Sequence, residues 1–195
     1  MGLVEDIRRD ILAAGNCTTA AEYAAALHAA EDDLRFVLAL RLMWECGMAT
    51  TEICSMRKVN VNPWARTITV AAEGYVPPWS ARVVKVDNDE IFDLIAAETK
   101  RTGTGIVIQQ KYKAAVTGKF VNPDDFMKQL SSTILRKTGI KVTLRSLFRG
   151  KFVYMADHGV TEMYQMLRFF GSENLSKLGI MQMGEKLRIG QENYG

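Results

Sequence analysis

The chain has 195 residues, 48% of them apolar, and its 25 Lys and Arg against 22 Asp and Glu leave a formal charge of +3. This composition suits a folded protein of one to one and a half domains and excludes low-complexity, collagen-like and strongly charged disordered classes. The small net charge conceals an asymmetry: residues 1–98 carry 9 basic and 15 acidic side chains, net −6, and residues 99–195 carry 16 and 7, net +9.

No stretch reaches the roughly 18 apolar residues of a membrane span, and Met1-Gly2-Leu3-Val4-Glu5-Asp6 lacks the basic-then-apolar order of a secretory signal. An intracellular protein with no membrane partner is therefore expected. Cys17, Cys46 and Cys54 are odd in number and lack zinc or C-x-x-C spacing, which predicts buried reduced thiols. With only His28 and His158, a histidine-ligated metal or a histidine-dependent triad has little material, and no metal or other cofactor is expected.

A weakly patterned helix over 3–14 precedes Thr19-Ala-Ala-Glu22, a capping box that opens an Ala-rich helix over 19–30. Residues 34–46 are apolar nearly all round, which predicts a helix in mid-core, too short to cross a bilayer. Gly47 ends it, and a short helix follows over 50–56. From Val59 the period changes to two, predicting strands over 66–70 and 81–86 separated by Pro77-Pro78. Packing within this hairpin is the expected role of Trp64, Tyr75 and Trp79, with an exposed aromatic element for a partner or a groove as the alternative.

Asn88 can cap a helix to about Thr99, and Gly103–Gly105 with Ile106-Val107-Ile108 suggest a loop and a short extended piece. Asn122-Pro123-Asp124-Asp125 supplies a cap, an N1 proline and two first-turn acids for a helix running to Lys137 and stopping at Gly139. Helical spacing continues from Leu144 to Met155, then from a cap at Thr161 to Gly171, and Leu175, Leu178 and Met181 suggest a last short helix. Tyr154, Tyr164 and the methionines fall at core spacing and are read as packing residues. One α+β domain over 1–195, mostly helical with a small antiparallel sheet, accounts for these elements.

The segment Gly47-Met48-Ala49-Thr50-Thr51-Glu52-Ile53-Cys54-Ser55-Met56-Arg57 resembles the first catalytic motif of the tyrosine recombinase, or phage integrase, family, T-G-x-R-x-x-E-[LI]-x-x-L. Gly47, Glu52, Ile53 and Met56 fall on its glycine, glutamate and apolar positions. The strands at Thr67–Val70 and Ala81–Val84 resemble the family hairpin. The helix from Pro123 with Gly139-Ile140 resembles the approach to H-x-L-R, and Leu167–Gly171 the L-G-H segment, so the likeness covers about residues 17–195. It implies the catalytic-domain fold, with no separate N-terminal DNA-gripping domain inside this chain.

The family's phosphoryl transfer needs a tyrosine nucleophile, cations around the transition state and an acid for the leaving oxygen. On this resemblance the first arginine position is Ala49, the hairpin lysine falls at or near Glu73, the L-G-H histidine is Ser172 and the tyrosine lands near Met181. The second arginine is Arg145 or Arg149, with Val142 or Ser146 in place of the histidine. Each lost charge partner is worth about 2.7–4 kcal/mol of transition-state stabilisation, so the resemblance implies a protein without strand-transfer catalysis. An active enzyme would have to use Tyr194, 23 residues beyond Gly171.

Residues 100–151 hold twelve basic side chains against Asp124 and Asp125: Lys100, Arg101, Lys111, Lys113, Lys119, Lys128, Arg136, Lys137, Lys141, Arg145, Arg149 and Lys151. All but Lys100, Arg101 and Lys128 are carried forward as candidate duplex-DNA contacts, mainly to the phosphate backbone. The resemblance also implies self-association through residues 172–195. The competing expectation is a protein-interaction module that keeps the fold without binding DNA.

Overall fold

A computed structural model describes residues 2–112 and 115–179. Helix α1 (Leu3–Ala14) buries Val4, Ile7 and Ile11, one stripe at helical spacing, against α7 (Leu144–Asp157). Helix α2 (Ala20–Ala30) opens on the expected capping box: Thr19 Oγ1 accepts from the Glu22 amide and the Glu22 carboxylate accepts from the Thr19 amide. Its small side chains let it pack closely against α3 (Leu34–Cys46), α6 (Pro123–Thr138) and α7.

Helix α3 lies in mid-core, as its all-round apolarity predicts, with Leu38, Ala39, Leu40, Leu42 and Met43 fully buried. Near its end Trp44 stacks on Tyr23, ring centres 4.6 Å apart. Gly47 then takes a left-handed conformation, φ 64°, and α4 (Thr50–Cys54) starts at once.

Among the described residues the sheet has three antiparallel strands in the order β1 (Val61–Asn62), β2 (Thr67–Val70) and β3 (Arg82–Lys85). Thr67 pairs with Lys85 and Val70 with Arg82, so Ile68, Val70 and Val84 face the core while Thr69, Val83 and Lys85 face solvent. Strand β1 was not expected; two residues are too few for alternation to show. Helix α5 (Glu90–Thr102) follows, with the Asn88 side chain accepting from the Glu90 amide.

Helix α6 begins at Pro123 with Asn122 Oδ1 accepting from both the Asp124 and Asp125 amides, and ends on left-handed Gly139. Helices α8 (Met163–Phe170) and α9 (Ser172–Ser176) complete the order. The architecture is mostly helical with a small antiparallel sheet, and the buried apolar side chains form one connected cluster from Val4 to Leu178.

Three local expectations are corrected. Glu162, not Thr161, precedes α8, and no side chain caps that helix. Tyr164 is 54% exposed, because Met163, Met166 and Phe170 occupy the buried face of α8. Trp64 and Trp79, 99% and 78% exposed, do not pack in the hairpin. Trp64 lies in the β1–β2 turn and Trp79 just before β3, at opposite ends of β2, where neither has a sheet face to cover.

Candidate functional site

The segment after Gly47 is held by a buried network. Glu52, in the first turn of α4, accepts from the Ala49 amide at 2.7 Å, which caps the helix and orients the carboxylate. Arg82 reaches it from β3: Nε to Oε1 is 3.0 Å and Nη2 to Oε2 is 3.1 Å. The same guanidinium donates to the Gly47 carbonyl at 3.0 Å and the Phe169 carbonyl at 3.2 Å. Asn174 of α9 donates to Glu52 at 2.9 Å and Gly47 at 3.1 Å, and its Oδ1 accepts from Lys177 Nζ at 3.0 Å. Burial, with Arg82 beside it, holds the Lys177 amine below the usual lysine range.

Gly47 itself tolerates no side chain, because a Cβ would lie 2.6 Å from the Phe169 carbonyl oxygen. The position assigned to the first arginine, Ala49, is fully buried. Arg82 and Asn174, which organise this corner, were not singled out from the sequence. The available signal was Arg82 itself, a charge at an inward-facing position of β3, two residues before buried Val84.

Two arginines compete for the second position, and the structure separates them. Arg149 is buried and donates to the carbonyls of Leu178 at 2.8 Å, Gly15 at 3.0 Å and Gly179 at 3.3 Å. Arg145, one helical turn earlier, is exposed and lies against Gly179. Residues 172–179 therefore run from the Ala49–Glu52 corner, where Ser172 opens α9 on the exposed side, to the two arginines. Glu73 joins neither group: its carboxylate pairs with Arg57, whose guanidinium lies 4.9 Å from the Phe120 ring centre. Met181, Tyr194 and the rest of 180–195 lie outside the described residues.

The cations named as DNA contacts divide in the same way. Lys111, Lys119, Arg136, Lys141 and Arg145 are exposed. Lys137 is engaged, 2.7 Å from both the Asp32 carboxylate and the Ala29 carbonyl, and it holds the Asp32 carboxyl below the usual carboxylate range. Lys151 sits among the rings of Trp44, Tyr154 and Phe169, with Nζ 5.0–5.7 Å from the three centres, and burial pushes its amine down. Buried Arg149 and half-buried Lys151 do not stand on the surface as expected, and Lys137, although exposed, is ion-paired. Each meets its partner through the tertiary fold, so its place in a basic run carries no sign of it. Lys113 lies outside the described residues.

No family model and no curated protein matches the chain. Among solved structures, the crystal structure of XerA recombinase superposes with a TM-score of 0.62 over 91% of this chain, at 15% sequence identity. The fold is recombinase-like. The likeness spans 65% of the XerA chain, and at this identity it is one of fold. Among the described residues, no helix of this recombinase-like chain is long and apolar enough to cross a membrane.

Proposed function

We propose that this chain is an integrase-like DNA-binding or nucleoprotein-assembly protein that grips the duplex backbone without strand-transfer chemistry. The observation that carries the proposal is the exposure of Lys119, Arg136, Lys141 and Arg145 on a recombinase-like fold. The absence of catalysis is argued from Ala49, Glu73 and Ser172, which offer neither cation nor imidazole where the resemblance puts them.

Titration of a labelled duplex at about 50 and 200 mM salt tests binding, because phosphate contacts weaken steeply over that range. Affinity should fall with salt, and reversing the charge at Lys119, Lys141 and Arg145 should reduce it. No binding at low salt, or binding indifferent to that reversal, removes the proposal. Incubation with supercoiled DNA tests chemistry: a covalent protein adduct abolished by Tyr194→Phe would establish an active enzyme. The exposed Trp64 and Trp79 favour a second reading, a protein-interaction module without DNA binding. A protein that ignores DNA at low salt yet loses self-association on Trp79→Ala would select it.

A further inference from the structure

A cavity of about 290 Å³ opens between β3 and α8, floored by Met155 and Phe169. Its size lies near the small end of the roughly 300–1,000 Å³ range of small-molecule sites. Met155 is ten residues along α7 from Arg145, about 15 Å of helix, so this cavity lies well away from that exposed arginine.

The two walls are chemically alike. On β3, Val83 and Lys85 are two residues apart and both exposed, hence on the same face of the strand. On α8, Tyr164 and Arg168 are four residues apart and both exposed, hence on one face of the helix. The β3 wall thus presents Val83 and Lys85, and the α8 wall Tyr164, Gln165 and Arg168, to a single cavity; Glu45 also lines it, but its carboxylate is already taken by Arg41 and Asn88. Most of the described arginines are held by carboxylates or carbonyls, as Arg82, Arg101 and Arg149 are. Among the described residues, neither Lys85 nor Arg168 has an ion-pair or hydrogen-bond partner for its side chain. Val83 and Tyr164 leave over half their surface in water on the rim, 62% and 54% exposed.

Two unpartnered cations beside a flat apolar surface call for a ligand with an anionic end and a planar end. Asp87, lining the same cavity, has a carboxylate with no hydrogen-bond partner among the described residues and can accept from hydroxyl groups. A sugar between a base and a phosphate supplies such hydroxyls. We propose that this cavity binds a nucleoside phosphate, with Lys85 and Arg168 on the phosphate, Tyr164 and Val83 against the base, and Asp87 on the ribose. The same chemistry is offered by a free mononucleotide and by the phosphorylated end of a strand. The proposal does not depend on duplex binding elsewhere on the molecule.

Calorimetric titration of the full chain with AMP, adenosine, inorganic phosphate and a 5′-phosphorylated tetranucleotide tests it. AMP should bind saturably and about tenfold or more tightly than adenosine or phosphate alone, because charge-assisted contacts and base stacking each contribute on that scale. Lys85→Ala and Arg168→Ala should each weaken AMP about tenfold, and Tyr164→Ala comparably, with thermal melting unchanged because all three side chains are exposed. Tighter binding of the tetranucleotide than of AMP supports the site and assigns it to strand ends; the reverse order supports it and assigns it to free nucleotide. No saturable AMP binding below about 1 mM, equal affinity for adenosine, or indifference to both cation variants overturns the proposal.

Discussion

At Glu52 and Arg82, two charges 3.0 Å apart lie almost out of reach of water and tie α4, β3 and the ends of α3 and α8 together. Removing one partner of such a pair leaves the other buried and uncompensated, which typically costs about 3–5 kcal/mol. Arg82→Ala is expected to fall in that range by urea denaturation, and a loss well under 1 kcal/mol would mean that water reaches Glu52. The cysteines give a second test at this scale. Burial pushes the Cys46 and Cys54 thiols up to about 12 from the ordinary value of 9.0, so neither should react with a thiol reagent at mildly alkaline pH until the chain unfolds. A thiol raised in the folded state favours folding below its unfolded pKa, and that contribution is lost as pH rises from about 9 towards 12. Unfolding free energy should therefore decline over this window, and less steeply in a Cys46→Ala, Cys54→Ala variant.

Among the elements, α7 shows how close contact overrides local preference. Gly150 sits inside this helix, where replacement by alanine ordinarily stabilises by up to about 1 kcal/mol. Here an added Cβ would lie 1.8 Å from the Thr18 carbonyl oxygen and 3.0 Å from the Trp44 ring. The Thr18 amide also donates to the Ser146 carbonyl at 2.9 Å, so the segment before α2 has no freedom to withdraw. Gly150→Ala is expected to destabilise by about 1–3 kcal/mol or more, a sign opposite to that given by helix propensity and readable from the melting temperature. Where local chemistry acts alone, boundaries were legible: Asn122-Pro123 and Gly139 bracket α6, and Thr19 with Glu22 opens α2. The start of α8 was misplaced at Thr161 because a threonine before a helix need not turn its hydroxyl to the first-turn amides.

For the whole molecule, the opposed charges of the two sequence halves partly meet in the fold. Lys137 of the basic half pairs with Asp32 of the acidic half across 105 residues. The field that remains is set, among the described residues, by the exposed cations without an ion-pair partner, so under the proposed duplex binding the slope of affinity against salt should follow them, at about 0.9 per phosphate neutralised. Reversing Lys119, Arg136, Lys141 and Arg145 together should flatten that slope. Lys137→Ala should leave it nearly unchanged, since its ammonium is already held by Asp32 and the Ala29 carbonyl. Equal flattening by both variants would place Lys137 among the DNA contacts.

Sequence alone determined the order of helices, the caps that bound several of them, the alternation of β2 and β3 and the likeness to a recombinase fold. Caps, periodicity and turns act over a few residues, so they are written where they operate. Only the tertiary structure decided that Arg149 and Lys151 turn inward, that Arg145 stays outside, and that Lys85 and Arg168 share a cavity. Burial and charge pairing depend on groups a hundred residues apart in the chain, and the opening asymmetry of −6 against +9 becomes a surface property only after those pairs have formed.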